Sequence, residues 1–478
     1  MKRYVVLSVR STWYSLNVDD YNDYIEDIDP LSTNTLISFQ TADLIRHIKS
    51  GLTVKLLPSI IDLECFDKQM SQEGKEFRKS TAWTVINFLR YHKAIDSEFE
   101  IKESNFKELL EIIAALYLQL LTKDVEEETR FNTIERSINE VIYKRQFLGI
   151  EIDHEAAKSM CSKIEADIYK TKNTLQHKYN IFSPDLEKQQ IVYLKSKNFN
   201  LIKSPLFTFK VHRNEDNVCS LFYEMLRNKK DLDSLLFMLS RWGSTNRTYP
   251  SFYGFGTITS RIILREPSLQ NLRKSHRSII IPFKGYKLLY IDYSQFEAGI
   301  LASLSNDLLL IKLHQTDIYK DLAGQIFGDE EKRSDAKVVF YRYMYGDTSL
   351  SKEAKAYFKK FTQLNKFKEQ IENQIASTGK IGTSIGNYRY KSELDAGWSL
   401  SHLIQATASL IYKNAVIKVA TKTPLAKFLI PMHDGTVYQI PNSSYDSIKL
   451  KVIEIYKEEF KKICVNIEPS VTCSEFFY

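Results

Sequence analysis

The chain has 478 residues, 43% hydrophobic and 26% charged, with a net charge of +7 at pH 7. That balance is ordinary for globular chains, supplies core material for two to four domains, and permits a polyanionic partner without demanding one. Five scattered cysteines (Cys65, Cys161, Cys219, Cys464, Cys473) without a CxxC pair speak against a disulfide framework and a zinc site, and no apolar run suits a signal peptide or membrane span. A cytoplasmic chain with reduced thiols and no membrane partner is expected.

In chain order, Tyr4–Val9 has the composition of a strand and Ala42–Ile48 the spacing of a short helix, and Asp62 and Glu64 form a DxE pair. An amphipathic helix is predicted over Thr133–Arg145, leading into 147–153. Asp153 then caps a long Lys- and Glu-rich helix over Glu155–Tyr179, a pattern that is ordinarily just a solvated helix. Within 249–283, Arg261 follows Thr259-Ser260, and Gln270-Asn271 follow Pro267, where a turn is the plain reading. Leu288–Ile291 suits a buried strand that ends on Asp292, and from Phe296 the apolar positions take helical spacing through Ile300, Leu301 and Leu304.

Between Leu308 and Gln405 the pattern is mostly helical. A helix beginning near Arg333 carries Arg333, Lys337, Tyr341 and Tyr345 four apart, on one slowly winding stripe. Two cations followed by two aromatics suit a triphosphate followed by a sugar and base, although a solvated basic face with core-facing tyrosines has the same pattern. Near the C-terminus, 429–441 is two strand-like runs joined at His433-Asp434-Gly435, where Asp-Gly signals a hairpin. A hairpin holding Asp434 beside Asp292 would offer two carboxylates to two divalent cations, the arrangement that stabilises both oxygens of an in-line phosphoryl displacement. Either Asp alone is more simply a turn former or cap.

Taken together, these segments resemble DNA polymerase family A, from about residue 134 to the C-terminus. The first palm motif, DYSQIELR, is matched by Asp292-Tyr293-Ser294-Gln295-Phe296-Glu297-Ala298-Gly299. The fingers motif is matched by Arg333, Lys337, Tyr341, Tyr345 and Gly346, and the second palm motif, HDE, by His433-Asp434-Gly435. The resemblance implies an α+β right hand of thumb, antiparallel-sheet palm and helical fingers, preceded by a small α/β domain. The implied boundaries are 1–130 for the accessory domain, 131–285 for thumb and start of palm, 286–307 for palm, 308–400 for fingers and 401–478 for the remaining palm. It implies primer–template DNA and dNTPs as partners, with further proteins supplying processivity or nuclease functions, and two Mg2+ ions, or Mn2+, as cofactors.

By the same resemblance Asp292, Asp434 and Lys337 are the catalytic groups, and Asp292, Asp434 and the Tyr293 backbone carbonyl hold metal. Arg333, Lys337, Tyr341, Glu297, Gln295 and Tyr319 are implied at the incoming nucleotide, with Glu297 as steric gate against a ribose. Tyr345, Gly346, Arg261, Gln270, Asn271, Gln405 and His433 are implied at template and primer. The sequence departs from the family pattern at Gly299 for Arg, Tyr319 for His, Arg342 for Gly, Ala406 for Gly and Gly435 for Glu. In the family's exonuclease the first strand ends in a DxE metal site. On Tyr4–Arg10 those positions are Ser8 and Arg10, and too little chain follows Asp62/Glu64 to complete such a domain. An inactive exonuclease remnant or an unrelated accessory module is therefore expected, without proofreading. The departures also keep open a template-independent or RNA-templated nucleotidyltransferase, or a retired DNA-binding scaffold.

Overall fold

The structure, a computed structural model, describes residues 2–26, 34–49, 57–71, 83–202, 204–240, 246–391 and 397–476. The chain divides into two compact units. The first combines 1–148, 252–263 and 284–476; the second combines 149–251 and 264–283, so the expected 131–285 segment is shared between them.

The first unit begins with a five-stranded mixed sheet. Across it lie Asp20–Glu26, Thr12–Asn17, Arg3–Val9, Thr35–Ser38 and Ser59–Asp62 in that order. Arg3–Val9 runs antiparallel to Thr12–Asn17 and parallel to Thr35–Ser38, which is in turn parallel to Ser59–Asp62. Val5, Leu7, Leu16, Ile37 and Ile61 pack into one core with Leu109, Leu110, Ile113 and Tyr117 of the helix Phe106–Leu121. Tyr4, Val5, Val6 and Leu7 are all buried, so this central strand carries apolar residues in succession rather than in alternation, which is why Tyr4–Val9 was legible as a strand. The predicted short helix is also present, as Thr41–Lys49.

The helix expected over Thr133–Arg145 is longer and interrupted. It runs Val125–Arg130, passes through a π turn at Phe131–Glu135, and continues as Arg136–Leu148. Its true start is set by Asp124, whose carboxylate accepts from the backbone N–H groups of Glu126 and Glu127 at 3.0 and 3.1 Å. The π turn brings together residues five apart, and Arg130 pairs with Glu135 at 3.0 Å.

A second sheet in the same unit has four antiparallel strands. Their order is Lys427–Pro431, Gly435–Pro441, Tyr286–Tyr293 and Val471–Ser474. The hairpin expected around His433-Asp434-Gly435 is therefore formed, and Tyr286–Tyr293 lies between two partners. The helices Ser399–Lys422 and Tyr445–Ile463 pack beside it. Where the sheet meets them, buried hydroxyls pair with one another: Tyr412 and Tyr456 each meet Thr436 Oγ1 at 2.8 Å, and Tyr438 meets Tyr456 at 3.1 Å. Tyrosines occupy this core without leaving those donors unmade.

In the second unit, the long helix is His154–Tyr179, with the Asp153 carboxylate accepting from Ala156 N at 2.9 Å. It packs against Asn217–Ser240. Of the run 147–153, only Ile150–Glu151 is strand, paired with Arg247–Thr248.

Candidate active site

Asp292 is the penultimate residue of a strand held on both sides, opposite Gly435 on one neighbour and Thr472 on the other. Gly435 opens its strand directly after Asp434, and Tyr293 N donates to the Asp434 carbonyl at 3.2 Å. The strand pairing therefore sets Asp292 and Asp434 beside each other, both half-buried at one end of the sheet. Gly435 makes this close approach feasible. A Cβ there would run into the Ile291 carbonyl and lie 2.8 Å from Asp292 Oδ1 and 2.9 Å from Asp292 Cα.

After Tyr293 the chain turns through Gln295, at φ 51°, into the helix Phe296–Ser305. The Gln295 side chain is occupied within the fold: its Nε2 donates to His314 O at 3.1 Å and its Oε1 accepts from Ile318 N at 2.9 Å. Glu297, in the helix's first turn, is buried, with one carboxylate oxygen ion-paired to Arg261 and the other without a partner. Burial pushes its pKa up to about 7, opposed by Arg261 and reinforced by the nearby charge of Asp434. The charge of Lys337, on the helix expected to bind nucleotide, lowers it in turn.

That helix is Arg333–Met344, starting and running as its four-residue spacing predicted. Arg333 Nε donates to Asp317 Oδ2 at 2.6 Å, and its guanidinium lies 5.2 Å from the ring of the buried Tyr319. Lys337 Nζ is 5.7 Å from the rings of both Tyr319 and Tyr341. Burial raises the Tyr319 and Tyr341 hydroxyl pKa values, so both remain neutral phenols flanked by cations. Tyr345 follows as the helix cap, its exposed ring 6.0 Å from that of Tyr341, and its hydroxyl accepts from Gln405 Nε2 at 2.7 Å. Gly346, at φ 73°, leaves a Cβ no room: it would sit 2.7 Å from Gly397 O.

The remaining expected residues are His433, Gln270 and Asn271. His433 is exposed beside Asp434. Gln270 and Asn271 belong to the second unit. Gln270 is buried, its Oε1 accepting from Leu264 N at 2.8 Å, while Asn271 is exposed, with its carbonyl accepting from Arg227 at 2.8 Å. In the N-terminal sheet, Asp62 caps the helix Leu63–Ser71 by accepting from Cys65 N at 2.8 Å, and Glu64 is ion-paired to Lys68. Burial pushes the Asp62 carboxyl up to about 6. Among the described residues no group of three or more His, Cys, Asp or Glu side chains could hold a metal ion, which leaves the two carboxylates Asp292 and Asp434 as the candidate ligands. A pair fits Mg2+, a hard cation that keeps waters and binds through one or two carboxylates plus substrate phosphates. Sequence reasoning missed Asp317 as the partner of Arg333, although it stands just before Ile318-Tyr319, and it missed the strand Val471–Ser474, too short to show periodicity.

The polymerase domain of Pol1 from M. smegmatis, solved in complex with DNA primer–template and dNTP, matches with a TM-score of 0.76 at 18% identity, over 99% of this chain and 95% of that one. The likeness defines the fold as the right-hand polymerase fold. The family model for DNA polymerase family A matches residues 219–477, more than half of the chain, and the chain belongs to that family. DNA polymerase I of Caldicellulosiruptor bescii is 26% identical over 392 residues, 69% of this chain and 45% of the relative. DNA polymerase I of Borreliella burgdorferi is 27% identical over 402 residues, 71% of this chain and 43% of the relative. The chain thus spans less than half the length of these curated relatives. The family and fold expected from the motifs at Asp292, Arg333 and Asp434 are borne out.

Proposed function

We propose that the chain is a DNA-directed DNA polymerase that adds deoxynucleotides to a primer 3′-OH. The carrying observation is the strand register that sets Asp292 beside Asp434 at one end of the sheet. Asp292, Asp434 and the Tyr293 carbonyl would hold two Mg2+ or Mn2+ ions, which when bound stabilise the attacking and leaving oxygens of an in-line displacement. Arg333 and Lys337 act as charge-assisted donors to the triphosphate, and Lys337 offsets charge on the departing pyrophosphate. For Arg333 this means exchanging its Asp317 partner for phosphate.

Tyr341 stacks against the incoming sugar and base, and Tyr345, oriented by Gln405, closes the templating-base pocket. Glu297, fixed by Arg261, crowds a ribose 2′-OH, while Arg261 reaches the primer terminus from the minor-groove side. Gln270 and Asn271 lie toward the template or primer backbone, Gln270 through the backbone that its amide holds in place. In the N-terminal sheet, Ser8 and Arg10 supply no carboxylate and Asp62 and Glu64 are engaged in a cap and an ion pair, which supports a module without proofreading. No helix among the described residues is long and apolar enough to cross a membrane, and the free cysteines suit a reducing cytoplasm.

The test is primer extension with Mg2+ and four dNTPs on matched templated and untemplated primers, beside Asp434→Ala. Templated extension abolished by the substitution supports the proposal. Extension without template would favour a terminal transferase, and DNA binding with no extension a retired scaffold.

A further inference from the structure

Beneath the turn that presents Arg261 lies a buried charge network that the reaction itself does not use. Arg130 is 0% exposed, yet all three of its guanidinium nitrogens donate: Nε to Glu135 Oε1 at 3.0 Å, Nη1 to the Ile385 carbonyl at 3.0 Å and to Thr383 Oγ1 at 3.4 Å, and Nη2 to Ser260 Oγ at 2.9 Å. Lys413, also 0% exposed, reaches the other oxygen of Glu135 at 2.5 Å and the same Ser260 hydroxyl at 3.2 Å. Ser260 is thus the shared point of two cations, and its carbonyl accepts from Ser409 Oγ at 2.7 Å. It adopts φ 56°, a left-handed conformation that a serine does not take without support, and the next residue is Arg261.

Two buried cations around one carboxylate are a poor device for stability alone. Desolvation offsets most of their attraction, and apolar side chains of similar volume would serve as well. What such a network does supply is direction, because a planar guanidinium fixes several partners at once. Arg130 and Glu135 meet through the π turn Phe131–Glu135, a distortion that serves no purpose in an ordinary helix. Both stand N-terminal to residues 219–477, the span that the family model matches.

We propose that Arg130, with Glu135 and Lys413, positions Arg261: the network holds the Ser260 turn so that the Arg261 guanidinium is delivered to the primer terminus and to Glu297. The inference rests on the reading of Arg261 given under the proposed function. It makes the interrupted helix Val125–Leu148 a working part of the polymerase rather than a spacer.

A double-mutant cycle separates positioning from mere support. The variants are Arg130→Met, Arg261→Ala and their combination, with kcat/KM for the primer–template as the readout. Arg130→Met should lower that value about tenfold when Arg261 is present and less than about twofold when Arg261 is already Ala, since a residue acting through another loses its effect with it. Equal losses in both backgrounds would overturn the inference and leave the reading of Arg261 standing. An Arg261→Ala enzyme with unchanged primer use would overturn that reading, and the inference with it. Should Arg130→Met lack a cooperative thermal transition, Ser260→Ala, which removes only the shared hydroxyl, replaces it in the cycle with the same pattern expected.

Discussion

Gly435 stands where the family motif leads one to expect a glutamate, and restoring that glutamate should harm the enzyme rather than repair it. Any side chain at 435 brings a Cβ against the Ile291 carbonyl, 2.8 Å from Asp292 Oδ1 and 2.9 Å from Asp292 Cα. Two of those three atoms are backbone, so no rotamer change relieves the contact. Asp292 cannot withdraw easily, because its strand is also paired with Val471–Ser474 on the far side. Nor can the Gly435 strand, since Thr436 is held by the hydroxyls of Tyr412 and Tyr456. Reaching ordinary van der Waals distance needs roughly 1 Å of separation at the Asp292–Gly435 pair, a displacement that in a catalytic site costs on the order of 100-fold in rate. The accompanying overpacking should cost about 1–3 kcal/mol of stability. The assay is the single-nucleotide incorporation rate of Gly435→Ala and Gly435→Glu, with primer–template affinity and Tm measured alongside. Both variants should be about 100-fold slower, with DNA affinity near that of the parent. A Gly435→Glu enzyme as fast as the parent would refute the argument from strand spacing.

Other expectations follow from the same site. Glu297→Ala should relax discrimination against ribonucleotides by about tenfold or more, measured as the ratio of kcat/KM for dNTP and rNTP, because it vacates a buried position packed with Arg261. Tyr341→Phe should raise discrimination against dideoxynucleotides by about tenfold or more in a termination assay; unchanged selectivity would remove Tyr341 from the sugar pocket. Burial holds the Glu127 carboxyl protonated up to about pH 7, above its ordinary 4.5. The folded chain therefore keeps a proton that the unfolded chain has lost, so the stability this group contributes is full below pH 4.5 and is lost as pH rises through 7. Glu127→Gln should flatten the decline of Tm across that window; parallel profiles would show that this carboxyl is not the source.

The elements that carry the candidate site were legible where their pattern is local. Arg333, Lys337, Tyr341 and Tyr345 share a helical face through local geometry, and the structure starts that helix at Arg333. Asp292 at a strand end and Asp434 at a hairpin were equally local signals. The interruption of the helix at Phe131–Glu135 was not legible, because the spacing of apolar residues carries no record of the contacts Arg130 makes there. The hydrogen bond by which Gln270 accepts from Leu264 N was not legible either, since a Gln after a Pro turn carries no sign of its partner.

The residues alone pointed to the family, the helical stripe and the two candidate carboxylates, because each signal is carried by a short run of chain. Only the tertiary structure decided that Asp292 faces Gly435 with no room for a side chain, that Arg333 rests on Asp317, and that Arg130 and Lys413 converge on Ser260. The physical reason is that these relations join segments 16 to more than 140 residues apart, brought together by sheet register and buried packing, for which local periodicity carries no record.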